Sequence, residues 1–241
     1  MKEKKILFGI LSALFFIGVM YLTEQVLRPG YLIKSLIKVS AVASILISYS
    51  VIYKQNLKEA IFFRKMKPAK HLYFFMTAVF LVIVIGFLLL RNQLDLQSIR
   101  QNLVSKEQLT KQNCLFVFAY IAVINSFLEE ALFRGLLCHL FPEKYQKAGI
   151  LFSALAFSAY HLGIIDNWLN PAILIFCMIG LFGAGIFLQI ICNHYDSLKA
   201  SWLVHGCANL AINAIGFILI YFYLIPQNRH SQKLYKTAKI W

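Results

Sequence analysis

The stretch NSFLEEALFRGLL, Asn125 to Leu137, reads as the middle of a membrane-spanning helix, yet it holds Glu129, Glu130 and Arg134. Each ionisable side chain placed in hydrocarbon costs about 2.5 to 3.5 kcal/mol even on the lenient insertion scale, so partners are required. Glu130 and Arg134 are four apart, which puts them on one face, one turn from each other, where they can pair. Glu129 is turned about 100° from Glu130 and points elsewhere. The spacing implies a division of labour, with one carboxylate neutralised by Arg134 and the other free for chemistry. The alternative is a structural charge cluster that bridges helices.

The surrounding composition agrees with a bilayer. Of 241 residues, 60% are hydrophobic and only 14% charged, where a soluble domain carries about 25% charged. The net charge of +14 does not indicate nucleic acid, because the bases flank apolar runs instead of forming a polar face. The positive-inside effect accounts for them. Cys114, Cys138, Cys177, Cys192 and Cys207 lie in or beside apolar segments without a CxxC pair, and read as small packing residues. The opening MKEKK and the apolar run after it resemble a signal peptide, but MYLTEQ offers no small-x-small cleavage site, so an uncleaved first span is expected.

A crossing takes about 20 apolar residues. Candidate spans are 6–22, 36–53, 72–90, 114–141, 148–165, 171–192 and 198–225. Nothing alternates as barrel strands would, so the expected fold is all-α, a polytopic transmembrane bundle of about seven spans, six to eight at the limits. Three regions are expected: 1–113 with N-terminal helices and a polar connection, 114–225 as the main helix core, and 226–241 as a basic tail. MKEKK and KQNLKEAIFFRKMKPAKH are rich in Lys and Arg and separated by two spans, which places both, and the N-terminus, in the cytoplasm. Seven crossings then put the tail outside. The last run of 28 residues would be about 42 Å of helix, and a break near Asn213 or Gly216 would restore parity. Residues 91–113 form a polar connection, read either as an interfacial helix or as a solvated loop.

The polar set inside the spans is small. Of the ten acidic residues only Glu129 and Glu130 fall well inside a span, and of the six histidines only His161 and His205. Phe157 and His161 are four apart in the fifth span, and His205 and Asn209 are four apart in the seventh. A lone histidine in a span is more often a hydrogen-bonded packing group, Phe157 alone reads as packing, and a His/Asn pair also serves as interhelical glue. Three helices each contributing such a group point instead to one shared site. An imidazole and an amide one turn apart can donate two hydrogen bonds to one developing oxyanion. One feature conflicts: His161 lies late in its helix and His205 early in a parallel one, which sets them at different depths.

The motifs EEALFR, FSAYH and HGCAN, in that order and each in an apolar segment, resemble the three motifs of the CPBP family. That family comprises CAAX-type II prenyl endopeptidases and bacteriocin-processing or immunity proteins, also called Abi. The resemblance covers roughly residues 114–214 and fills every motif position. It implies an intramembrane peptidase in which Glu129 acts as general base on a water, His161 holds and polarises that water, and His205 with Asn209 stabilises the oxyanion. Glu130 and Arg134 would orient the base and its helix. A carboxylate in a low-dielectric pocket suits the role of base. Glu129, His161 and His205 also resemble a His/His/carboxylate zinc site, although no HExxH is present, and the metal-free route is preferred.

The expected function is therefore an intramembrane endopeptidase acting on a small peptide or a membrane-tethered protein in the lipid bilayer, with no nucleic acid partner. A composition rich in Lys, Ile and Phe suggests an AT-rich bacterial genome and a bacterial cytoplasmic membrane, where prenylated CAAX substrates are not expected. A non-catalytic regulator or bacteriocin self-immunity protein of the same fold is the runner-up. A transporter with Glu129 in a proton relay is physically allowed, but no inverted repeat supports it. The sequence leaves the oligomeric state open.

Overall fold

The computed structural model describes residues 2–165, 169 and 171–222. Among these residues all regular structure is helical, and seven helices are long and apolar enough to cross a membrane. They run Glu3–Leu27, Tyr31–Tyr53, Leu72–Leu90, Cys114–Leu137, Glu143–Ile165, Pro171–His194 and Leu198–Tyr221, and are called here the first to seventh spans. Asp166, the end of the expected seventh span and the tail 226–241 lie outside the described residues.

Three of the departures from expectation bear on the site. The first span does not stop at residue 22 but continues through a π-helical turn, Leu22–Leu27, which carries a buried Glu24. The second begins at Tyr31 instead of residue 36, because Gly30 breaks the chain just before it, so Lys34 and Lys38 are both helical and both buried. Glu129 and Glu130 are thus not the only acidic residues inside a span. The seventh is one unbroken helix, Leu198–Tyr221, with no break at Asn213 or Gly216. Asn213 donates its side-chain amide to the carbonyl of Phe118, 2.9 Å away, and so ties this helix to the fourth span.

Contacts sort the loops onto two ends. At the first end the Tyr53 hydroxyl donates to the carbonyl of Lys4. There too the Phe62 ring stacks on His139 at 4.2 Å, the Leu198 N–H donates to the Phe62 carbonyl at 3.0 Å, and Ser197 donates to the Arg64 carbonyl at 2.9 Å. Gly135 is required here: a Cβ at that position would lie 2.5 Å from the Ile61 carbonyl oxygen. The N-terminus and the basic 54–71 segment therefore share one end, as their charge suggested. At the other end Lys34 bonds Glu24 and Glu107, and Arg100 donates to the Leu219 carbonyl at 3.2 Å. The connection there is helical over Leu96–Gln101 and a π turn Asn102–Lys106, so 91–113 is not loop throughout.

The depth conflict between His161 and His205 is resolved by where their helices start. Both run antiparallel to the fourth span. The fifth starts far out: its Gly149 lies against the Cys138 carbonyl, Ser153 bonds the Phe133 carbonyl, and only then does Tyr160 reach Glu129. The seventh starts deeper, beneath the 61–67 segment that satisfies its first N–H. A helix start sunk by about two turns compensates for the difference in sequence position.

Candidate functional site

The fourth span is not a regular α-helix. Two π-helical stretches, Ile121–Asn125 and Ala131–Leu137, enclose a single α turn, Ser126–Glu130, that carries both glutamates. Bonds from residue i to i+5 leave carbonyls available and rotate the side chains that follow, and such bulges gather at functional sites. The seventh span uses these carbonyls: Trp202 donates to Val123 at 2.9 Å and Asn209 to Ile121 at 3.0 Å. Gly206 permits the approach, since a Cβ there would sit 2.9 Å from the Ala122 carbonyl oxygen.

This packing brings the expected residues together. Glu129 Oε2 lies 3.8 Å from His161 Nε2 and 3.7 Å from His205 Nε2, while His205 Nδ1 is 2.8 Å from Glu130 Oε1. Arg134 Nη1 is 3.4 Å from Glu130 Oε1, the one-turn pair read from the spacing. The site is dry on this side, with Glu129, Glu130 and Arg134 at most 1% exposed. Asn209 sits beside these groups, with one amide hydrogen committed to Ile121 and a second available.

Phe157 does more than fill space. The Arg134 guanidinium carbon lies 4.0 Å from its ring centroid, and the ring also meets His161 at 4.5 Å and His205 at 5.8 Å, edge to face. Arg134 nitrogens have no hydrogen-bond acceptor, so the Phe157 face and the Glu130 charge are what compensate for burying the cation.

One expectation is corrected. Glu129 is not left free by its neighbour's pairing, because Lys38 of the second span holds its Oε1 at 2.5 Å. Asn125 Nδ2 and the Tyr160 hydroxyl donate to the same oxygen at 2.9 and 3.1 Å. Oε2 has no hydrogen-bond partner. Two carboxylates and two cations thus balance in the interior, which answers the cost posed by NSFLEEALFRGLL. Sequence reasoning missed Lys38, Asn125 and Tyr160. Lys38 alone carried a signal, as a cation inside the apolar run 36–53.

A cavity of about 330 Å³ opens on Glu129, His161 and Asn209 and extends toward the end that bears Glu24 and Glu107. Its walls are mainly apolar, with Ile99 and Leu103 of the connecting helix closing one side. That volume and lining suit a side chain or short peptide segment better than bulk solvent.

Residues 111–211 match the family model described as Type II CAAX prenyl endopeptidase Rce1-like. The match takes in all three motifs and runs from just before the fourth span into the seventh; Lys38 falls outside it. No curated protein and no solved structure matches the chain.

Proposed function

We propose, for a chain whose residues 111–211 carry the type II CAAX prenyl endopeptidase signature, that it is an intramembrane endopeptidase using a glutamate-activated water. The observation that supports this most is Glu129, a cavity-lining residue whose Oε2 is buried, has no hydrogen-bond partner and faces two imidazole Nε2 atoms at 3.7 and 3.8 Å. Polar groups more than about 3.5 Å apart do not bond each other directly, and a water entering between them would meet all three. His161 Nδ1 donates to the Phe157 carbonyl and His205 Nδ1 to Glu130, so each neutral ring turns a lone pair toward the same spot. A water there gives one proton to Glu129 and one hydrogen bond to an imidazole while its oxygen attacks the peptide carbonyl. Asn209 donates to the resulting oxyanion, and His205 does so once it carries a proton.

A divalent metal fits this set poorly. The donor types are those of a zinc site, but the Lys38 ammonium lies 2.5 Å from the same carboxylate, and among the described residues no three His, Cys, Asp or Glu side chains are disposed to hold a metal ion. The substrate is a small peptide or membrane-tethered protein. The chain is an integral multi-pass membrane protein, and with the basic end in the cytoplasm of a bacterial cell the cavity extends toward the opposite face.

The test compares membrane peptidomes of cells carrying wild type and Glu129→Gln. Loss of specific products in the variant, at equal protein level, is expected, and purified activity should survive a chelator. A second reading, a non-catalytic regulator or self-immunity protein, gains from the salt bridge of Lys38 on Glu129, which a purely structural cluster would also display. It wins if the cellular phenotype persists in Glu129→Gln, His161→Ala and His205→Ala alike.

A further inference from the structure

Lys38 reaches the site from a helix that the family match does not include, 91 residues before Glu129 in the chain. It is 4% exposed. An ammonium has three protons and accepts nothing. Here the three have three acceptors: Glu129 Oε1, Asn125 Oδ1 and the Tyr160 hydroxyl. None is left for a substrate, so Lys38 acts through other residues. Asn125 and Tyr160 then each donate onward to Glu129 Oε1. That oxygen receives three hydrogen bonds while Oε2 of the same carboxylate receives none.

We propose that Lys38, with Asn125 and Tyr160, is a positioning clamp that keeps Glu129 ionised and fixes its carboxylate so that Oε2 is turned to His161 and His205. The proposal rests on the reading of Glu129 as the base. A carboxylate buried without a counter-ion takes up a proton, and a protonated carboxyl cannot accept one from water. Arg134 already serves Glu130, so Glu129 needs its own cation. The clamp also settles orientation. Without it the carboxylate would rotate between its two oxygens, and productive geometry within the pocket would be populated only part of the time. Lysine suits the place better than arginine, because three acceptors surround a point charge where a planar fork would satisfy two.

The test uses the full chain in lipid nanodiscs and needs no substrate. Infrared spectra of Lys38→Met are expected to show a protonated carboxyl stretch at neutral pH that is absent from wild type and disappears in Lys38→Met/Glu129→Gln. Absence of that band from a folded Lys38→Met overturns the proposal. Should Lys38→Met fail to fold, the double variant is expected to recover the wild-type melting transition, and a double variant no more stable than the single one overturns it equally. On a peptide cleaved by wild type, drawn from a quenched-fluorescent library, Lys38→Arg should lower kcat by at least about tenfold with KM within about threefold, because charge is kept and orientation lost. An unchanged kcat would remove the positioning role. A wild type that cleaves nothing would sink the peptidase reading, while the infrared and melting results would still judge the clamp.

Discussion

His205 gives its Nδ1 to Glu130, 2.8 Å from Oε1, and thereby turns its Nε2 toward Glu129. A carboxylate only accepts, so a proton sits on Nδ1, and Nε2 is the nitrogen left to face Glu129. The adjacent glutamates therefore hold different offices. Glu130, backed by Arg134, orients an imidazole that arrives from the seventh span. Glu129, held by Lys38, faces the cavity. Adjacent positions on the α turn Ser126–Glu130 are about 100° apart, which lets neighbouring side chains face such different partners.

The Glu130–Arg134 pair should behave as a buried ion pair. Arg134→Ala leaves Glu130 uncompensated at 0% exposure and is expected to destabilise the fold by about 3 to 5 kcal/mol. Thermal unfolding in detergent measures it. Glu130→Gln/Arg134→Met should recover most of the loss. A double variant as unstable as Arg134→Ala would transfer the effect to the guanidinium's packing on Phe157.

Asn209 and Asn213 separate architecture from chemistry. Both donate to carbonyls of the fourth span, at 3.0 and 2.9 Å, so alanine at either should cost about 1 to 3 kcal/mol of stability. Only Asn209 lies one turn from His205. Asn209→Ala should also lower kcat about 100-fold, as loss of an oxyanion donor does. Equal kcat in the two variants would remove Asn209 from the reaction.

Much of this site was legible because its partners recur at helical spacing. Glu130 with Arg134, Phe157 with His161 and His205 with Asn209 are each four apart, and each pair shares a face as that spacing requires. Lys38 was not, since a cation near the start of an apolar run reads as a snorkelling or positive-inside residue until packing sets its depth. The π turns left no trace, because an i+5 bond over five residues creates no period that a hydrophobic pattern can display. The sunken start of the seventh span depends on the 61–67 segment, whose hydropathy says nothing of what it covers.

Orientation can be read with single cysteines. With the basic end cytoplasmic, Lys67→Cys should react with a membrane-impermeant maleimide only after cells are permeabilised, whereas Gln101→Cys at the opposite end should react in intact cells. Both side chains are exposed, so reactivity reports sidedness. The reverse pattern would place the cavity toward the cytoplasm and invert the topology.

Glu107 supplies a dependence on pH at that same end. Both its oxygens lie 3.0 Å from Lys34 Nζ, yet burial, and then the neighbouring Glu24, push its carboxyl above the ordinary value of 4.5. A raised folded pKa favours the folded state below the unfolded value, and that advantage is lost as pH rises from about 4.5 through the folded pKa. Glu107→Gln cannot titrate and lacks this slope. The melting temperature of wild type minus that of Glu107→Gln should therefore fall with rising pH over that range, measured in the same nanodiscs. Parallel curves would mean that the Lys34 ion pair cancels the effect of burial, and a difference that rises with pH would mean that it outweighs burial and holds the carboxyl below its ordinary value.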